Sequence, residues 1–387
     1  MPEPVIVDAV RTPIGRAFKG SLAALRPDDT GAFVLDALLE RNPDVAPESV
    51  EEVVCGCGLP QGLQAFNIGR IMVLLSEKLP DSVNGVTVSR YCASSLEAIR
   101  QAANAVRAGE GDTYIAAGVE WVSRYNERQE AAGVSDQNEK LQGKNGQPDA
   151  YIAMGLTAEN VAEKWEVSRA DMDKYAQRSQ ELAVASQESG FSDREIVPVK
   201  LPDGSEAARD DGPRASSTLE KLAELKPAFK EDGKVTAGNS CPLNDGAAAV
   251  LVMSDTRAKE LGLRPRARII TAATAALEPE LMGVAPIGAI RKVLDRAGMK
   301  IDDVDVVELN EAFAAQVIPI MAECNIPLEK LNPHGGAIAL GHPFGMTGAR
   351  IMTTLLNDLE TDDKTIGLET MCVAGGQGEA MIVERLN

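Results

Sequence analysis

The chain runs through one structural plan twice, and that repetition restricts its fold more than any single motif. Residues 4–10 read as a strand, apolar periodicity marks a helix around residues 30–39, and a second strand at residues 53–57 completes a β-α-β start. Residues 86–89 read as a strand running into Arg90-Tyr-Cys92-Ala-Ser-Ser95, after which Leu96, Ile99, Ala103 and Val106 recur at helical spacing until Gly109. Residues 113–117 form the next strand. From Arg266 the plan begins again: strand 267–271, helix 287–297, strand 304–308, then helix, strand, helix and strand. In the first copy a strand delivers Cys92 to a helix start. In the second, Gly335-Gly-Ala-Ile-Ala-Leu-Gly341 delivers His342-Pro343 ahead of Ile351, Leu355 and Leu359 at helical spacing. A helix N-terminus carries unpaired N–H groups and a dipole that favours negative charge. The repeat therefore implies two packed α/β halves with a site between them.

Between residues 120 and 244 strand alternation largely disappears, and polar turns at 138–147 and 203–213 surround helices. The best-marked helix starts at the Ser168-x-x-Asp171 capping box, carries Met172, Tyr175, Ser179, Leu182 and Ala183 on one stripe, and stops near Gly190. The expected organisation is a first half at 1–119 completed by a strand within 245–264, an insertion at 120–244, and a second half at 265–387.

Composition excludes several function classes. With 39 basic against 58 acidic side chains in 387 residues, the net charge of −19 argues against nucleic acid as a partner. Apolar runs fall well short of the ~18 residues of a spanning helix, and no basic segment precedes an apolar one at the start, so the expectation is a soluble cytoplasmic protein. Six scattered cysteines suit reduced thiols better than a disulfide scaffold. Only His334 and His342 are present, which removes HExxH and Cys2His2 zinc sites, and Cys55-Gly-Cys57 has no second pair at ligand spacing. No metal is expected, and Cys55 and Cys57 read as buried structural thiols on one face of a strand.

Each chemistry-bearing residue admits two readings. Cys92, at a helix start among small polar residues, is either a nucleophile whose pKa the helix lowers or a packing residue. His342, bracketed by turn residues, reads as a functional imidazole, whereas His334 before Gly335-Gly336 reads as a hydrogen-bonded loop histidine. Cys372 ends a strand before Ala-Gly-Gly-Gln-Gly378, which either presents backbone N–H groups to an oxyanion or is a plain hairpin turn. Asn310, in Asn-Glu-Ala-Phe313, either joins the site or caps the next helix.

Together these residues resemble the thiolase family over essentially the whole chain. The matching motifs are Arg11-Thr-Pro-Ile-Gly15, Cys92-Ala-Ser-Ser95, Met154-Gly-Leu-Thr-Ala-Glu-Asn160, Thr236-Ala-Gly-Asn239, Asn244-Asp-Gly-Ala-Ala-Ala249, Asn310-Glu-Ala-Phe313, Gly335 to Pro343, and Cys372 with its glycine-rich tail. The resemblance implies the five-layered α-β-α-β-α fold of two duplicated halves with an inserted loop domain. It also implies thiolytic cleavage of 3-ketoacyl-CoA, with coenzyme A as substrate and no required cofactor. Cys92 would attack the thioester, His342 would take its proton, and Cys372 would transfer the proton at the α-carbon. Asn310 would fix a water at the enolate oxygen, and the backbone N–H groups of Cys92 and Ala374 would hold the oxyanion. Met154, Arg214, Ser240 and Cys241 are the candidate coenzyme A contacts. A homodimer or homotetramer is implied, and a hydratase/dehydrogenase partner is compatible with it.

Four departures from the family pattern bear on this. Ala374 stands where glycine is usual, and Cys241 where a serine usually contacts the pantetheine arm. Ala153 replaces a histidine typical of acetoacetyl-CoA enzymes, and Ser94-Ser95 looks like degradative relatives. These favour a broader-chain degradative enzyme over a biosynthetic acetoacetyl-CoA thiolase. A dinucleotide-dependent oxidoreductase fits poorly, because Pro60 and Gln61 do not open a helix after Gly56-x-Gly58. A non-catalytic acyl-CoA-binding protein would not need Cys92, Asn310, His342 and Cys372 together.

Overall fold

The computed structural model describes residues 2–124, 137–144 and 146–387; residues 125–136 of the expected insertion, and residue 145 in its first polar turn, lie outside the described residues. The first half comprises β1 (Pro4–Arg11), α1 (Pro27–Arg41), β2 (Glu52–Gly56), α2 (Ile68–Leu75), β3 (Asn84–Val88), α3 (Ser94–Ala108) and β4 (Thr113–Trp121). The inserted segment supplies α4 (Met154–Lys164) and α5 (Arg169–Ser189) before β5 (Asn244–Ser254) returns to the sheet. The second half comprises β6 (Ala267–Ala276), α6 (Ala285–Ala297), β7 (Val306–Leu309), α7 (Ala314–Cys324), α8 (Thr347–Thr361), β8 (Ile366–Val373) and β9 (Gln377–Arg385).

The strand path β7-β8-β9-β6-β1-β5-β4-β2-β3 expresses the duplication directly. β2 runs parallel to β4 while β5 runs antiparallel to β4 and β1; β7, β8, β9 and β6 repeat that pattern. Among the described residues the two half-sheets pair only through Val5↔Arg268 and Ile6↔Ala267. One expected strand is missing: the second-half counterpart of β3 shrinks to a bridge between Val307 and Leu331. Asn332 turns left-handed at φ +44° and Pro333 has no N–H, so the ladder cannot continue there.

Strand alternation sorts side chains into separate cores. In β5, Ala247, Ala249, Leu251 and Met253 join α1 and α2 in one core, while Ala248, Val250 and Val252 face α3 and α8 in the central one. A third core packs α6 and α7, with α4 and α5 from the insertion, on the other face of the second half-sheet. These are the five layers expected. The Ser168 cap opens α5 by accepting from Asp171 N, and Gly190 closes it at φ +78°. Cys55 and Cys57 are buried in the first-half core. Among the described residues no helix is long and apolar enough to cross a membrane.

The Arg11 motif is an anchor between layers. Its buried guanidinium meets Glu195 at 2.7 Å and Asp210 at 2.7 and 3.0 Å, and Asp210 also accepts from Ile14 N at 2.7 Å. Glu195 and Asp210 both belong to the expected insertion, so this buried ion cluster fastens that segment to β1.

Burial also holds carboxyl groups in the protonated form. Glu308, Glu369 and Asp358 are raised well above the carboxylate range, and burial with Glu97 pushes Glu379 up to about 8 despite Arg90 at 3.3 Å. Such groups bind protons more tightly folded than unfolded. Their stabilisation is complete below about pH 4.3, the unfolded value, and is lost as pH rises through the folded value. The melting temperature should therefore fall between about pH 5 and about pH 9, and Glu379→Gln should flatten that fall. Identical slopes for variant and wild type in differential scanning fluorimetry would rule out the Glu379 contribution.

Candidate active site

Cys92 sits in a single 3₁₀ turn, Tyr91–Ala93, between β3 and the start of α3 at Ser94. Tyr91 adopts φ +42°, a left-handed conformation that costs roughly 1–3 kcal/mol for a side-chain-bearing residue. Arg90 anchors the turn, reaching Glu97 at 3.1 Å and Glu379 at 3.3 Å and donating to Gln377 Oε1 at 3.3 Å. Ser94 Oγ closes it, accepting from Arg90 N at 2.9 Å and donating to Tyr91 O at 2.6 Å.

The expected lowering of the Cys92 pKa is reversed. Burial, with Cys372 and Cys241 as neighbouring thiols, raises it well above the ordinary thiol value, and a hydrogen bond from Ala374 N only partly offsets this. Cys92 precedes the helix by one turn, so burial outweighs the dipole. The resting group is a thiol. Ala374 keeps a negative φ while Gly375 and Gly376 turn left-handed, which leaves the Ala374 N–H free to aim at the Cys92 sulfur.

His342 lies in the loop before α8, one 3₁₀ turn (Phe344–Met346) short of the helix start expected from sequence. Gly341 needs its φ of +113° and its missing Cβ, which would fall 2.5 Å from the Asn244 side chain. Asn244 Oδ1 accepts from His342 N at 3.1 Å. Thr347 Oγ1 donates to Pro343 O at 2.7 Å, so at 2.7 Å from His342 Nδ1 it must accept, which places the imidazole proton on Nδ1. Nε2 then carries the lone pair and accepts from Asn310 Nδ2 at 3.3 Å. Burial first, then Arg350, pushes the His342 pKa down to about 3, so the imidazole is neutral and basic at Nε2. Asn310 does not cap α7, whose N-cap is Phe313; its buried Oδ1 has no hydrogen-bond partner among the described residues.

Cys372 pairs with Gly378 in the β8–β9 hairpin, so the plain turn and the site-facing thiol coexist. Gln316 Nε2 donates to its sulfur at 3.1 Å, and burial pushes this thiol up to about 11. The Tyr91–Ala93 turn packs against both the Phe344–Met346 turn and β8, which brings Cys92, His342 and Cys372 to one place. His334 lies elsewhere, stacked on Phe191 at 3.7 Å with Nδ1 2.6 Å from Asp358, as its loop reading expected.

Of the expected coenzyme A contacts, Cys241 lies closest to the chemistry: burial and Cys372 push its thiol up to about 12, and its N–H donates to Ala312 O at 3.0 Å. Ser240 Oγ donates to Thr236 O at 2.7 Å within the fold. Met154 opens α4, and Arg214 is exposed with Arg16 as a cationic neighbour. The insertion reaches the site through Glu311, which accepts from Tyr175 Oη at 2.7 Å, Ser179 Oγ at 2.6 Å, Asn332 Nδ2 at 2.8 Å and Ile338 N at 3.2 Å. Sequence reading did not find Thr347, Gln316 or Glu311 as site partners.

Two family models cover the chain: "thiolase, N-terminal domain" at residues 4–256 and "thiolase, C-terminal domain" at residues 263–385. The chain belongs to the thiolase family, and it is an acyltransferase. It is 44% identical to a β-ketoadipyl-CoA thiolase of Acinetobacter baylyi, over 98% of this chain and 99% of that one. Identity is also 44% with a 3-oxoadipyl-CoA/3-oxo-5,6-dehydrosuberyl-CoA thiolase of Escherichia coli, over the whole of both chains (100% and 100%). Among solved structures, the Bacillus anthracis acetyl-CoA acetyltransferase superposes with a TM-score of 0.91 at 38% identity, covering 100% of this chain and 99% of that one.

The Thr347 contact makes a direct prediction. Thr347→Val keeps the shape but removes the acceptor at Nδ1, so kcat/KM for 3-ketoacyl-CoA cleavage should fall by about 10-fold or more, with Thr347→Ser restoring it. Wild-type kinetics in the valine variant would show that another group holds the tautomer.

Proposed function

We propose that this enzyme cleaves 3-ketoacyl-CoA with coenzyme A through an acyl group carried on Cys92, within acyl-CoA degradation. The observation that carries this reading is the His342 imidazole, committed at Nδ1 to Thr347 and carrying its lone pair on Nε2, where Asn310 Nδ2 is the one partner among the described residues, beside two protonated thiols. His342 Nε2 takes the Cys92 proton as the sulfur attacks. Atom balance moves that attack from the thioester to the C3 keto carbon: the bond that breaks joins C2 to C3, and attack at the thioester would only exchange coenzyme A for the enzyme. The C2–C3 bond then breaks, leaving an acyl-Cys92 thioester and the enolate of acetyl-CoA. Cys372 gives its proton to C2. The sulfur of a second coenzyme A next attacks the acyl group, its proton passing to Cys372, and Cys92 leaves as a thiolate that recovers its proton from His342.

During cleavage, His342, once protonated, donates to the enolate oxygen through Nε2–H. The unpartnered Oδ1 of Asn310 suits a water that donates to the same atom. The backbone N–H groups of Cys92 and Ala374 would stabilise the tetrahedral oxyanion. The scheme uses only this chain's side chains and coenzyme A, with no further cofactor. In this reading Arg214, near Arg16, offers a cation to the coenzyme A phosphates, and Met154, Ser240 and Cys241 are the proposed contacts of the pantetheine arm. A cytoplasmic homo-oligomer is part of the same reading. Phe66 (90% exposed), Leu74, Leu75 and Tyr91 leave apolar surface near the unpaired edge of β3, which suits a second copy of the chain.

Two experiments test the scheme. In a cleavage series from four carbons upward, activity should persist beyond acetoacetyl-CoA and include 3-oxoadipyl-CoA. Support comes from Ala153, which puts no polar side chain at the start of α4, and from the named substrates of the relatives. Strict confinement to acetoacetyl-CoA would favour the biosynthetic alternative. In the second, Cys372→Ser should still form acyl-Cys92 from an acyl-CoA, because acyl exchange needs no proton transfer at C2, while thiolytic cleavage nearly vanishes. Cys92→Ser should lose both. Equal loss of acylation in a folded Cys372→Ser protein, read by quench-and-digest mass spectrometry, would overturn this division of labour.

A further inference from the structure

Glu120, the penultimate residue of β4, is fully buried yet faces no lysine or arginine in its hydrogen bonds. Its carboxylate is surrounded by donors. Oε2 accepts from Gly58 N at 2.7 Å and from Gly345 N at 2.8 Å; Oε1 accepts from Gln64 Nε2 at 2.7 Å and from Leu59 N at 3.3 Å. The Cys57 thiol also donates to Oε1 at 4.0 Å; burial raises the carboxyl's pKa, but five donors and no acceptor partner suit the ionised form, which accepts only.

The donors belong to both halves of the repeat. Gly58 and Leu59 follow β2, and a Cβ on Gly58 would lie 3.2 Å from Tyr91 O and 2.9 Å from the Phe344 side chain. Gly58 therefore fits between the turn that carries Cys92 and the residue whose ring meets His342 edge-on at 5.1 Å. Ser89 Oγ fixes the same loop by donating to Gly58 O at 3.1 Å. Gly345 lies between His342 and Thr347, the pair that sets the imidazole tautomer. A Cβ there would stand 2.4 Å from Val119 O and 2.7 Å from Cys57 Cα, so the base loop is pressed onto the first half at this point.

We propose that Glu120 is the positioning residue that sets the separation of Cys92 and His342, by binding the nucleophile's supporting loop and the base's loop to one carboxylate. The proposal rests on the assignment of Cys92 and His342 given above. Without the carboxylate, the buried N–H groups of Gly58 and Gly345 and the partly buried one of Leu59 lose the acceptor that the two loops share. A shift of about 1 Å between reacting groups is enough to cost on the order of 100-fold in rate.

The test is the pH dependence of Cys92 alkylation by iodoacetamide in the full-length protein, read by mass spectrometry, for wild type, Glu120→Asp and Glu120→Gln. Glu120→Asp keeps the charge and shortens the reach. It should slow alkylation at pH 7 by about 10-fold or more, and the gap to wild type should narrow steadily as pH rises and hydroxide replaces His342 as the base. Glu120→Gln places an amide N–H against backbone N–H groups and should show the same slowing. If the charge of Glu120 acted only by repelling the Cys92 thiolate, Glu120→Gln would react faster than wild type and Glu120→Asp would be unchanged. If the residue served packing alone, melting temperatures would fall while alkylation per folded molecule held. Either result overturns the proposal. Should Glu120→Gln not fold, Glu120→Asp alone decides. Labelling of a thiol other than Cys92 first in wild type would instead refute the nucleophile assignment itself.

Discussion

The close approach of α3 and α8 in the central layer is the contact on which the site depends. A Cβ on Gly348 would lie 2.3 Å from Leu96 N, and Ala349 N donates to Ser95 Oγ at 2.9 Å. The first turns of both helices therefore meet almost backbone to backbone, and each turn directly follows the segment that carries a reactive side chain. Gly56 repeats the device toward the sheet, where a Cβ would fall 2.3 Å from the Ser94 carbonyl carbon. Among the described residues the half-sheets share only two residue pairs, so ladder hydrogen bonds do little to fix their relation. The helices do so, and with it the distance between nucleophile and base.

That packing takes the thiols and the imidazole largely out of bulk water, and desolvation decides their protonation states. Taking an ionised group out of water costs more than a helix dipole returns, since the dipole supplies about 0.3–1 kcal/mol at the surface and up to about 2 kcal/mol in partly buried settings. All three thiols near the site are consequently held protonated and His342 is held neutral. Elsewhere in the interior polar groups are matched more closely: Arg11 meets two carboxylates, Glu120 gathers five donors and Glu311 four.

Much of this architecture was legible in the sequence, because periodicity reports burial. The alternation of β5 and the helical spacing after Cys92 each put one side of an element into a core, and the repeat declared that the elements come in two matching sets. The missing strand was not legible from the repeat, since a left-handed Asn332 followed by Pro333 breaks a ladder that the plan alone calls for. Cys92, His342, Cys372 and Asn310 stood out by lying at element ends, but which of their two readings held depended on family resemblance. Thr347, Gln316 and Glu120 did not stand out. Gln316 lies 56 residues from its partner Cys372, and Glu120 lies 225 residues from Gly345, so no local pattern announces those contacts. The sign of the Cys92 shift was misread for a related reason: a helix start is visible in sequence, whereas desolvation by distant segments is not.

A neutral resting pair has a consequence for how the two halves share the chemistry. A standing thiolate at Cys92 would react with any electrophile that entered, whereas a thiol beside an open imidazole becomes nucleophilic only as its proton moves to Nε2. That transfer creates an imidazolium in a buried site, which burial and Arg350 both oppose. The transfer becomes favourable where negative charge develops within reach of Nε2–H, as it does on the thioester oxygen of the departing acetyl-CoA enolate once C2–C3 cleavage begins. In the proposed scheme the first half thus supplies a sulfur that is inert alone, and the second supplies the base, the second thiol and the amide that give its proton somewhere to go. Neither half holds a complete site, which is why the alignment of their central helices, rather than any one residue's pKa, governs reactivity.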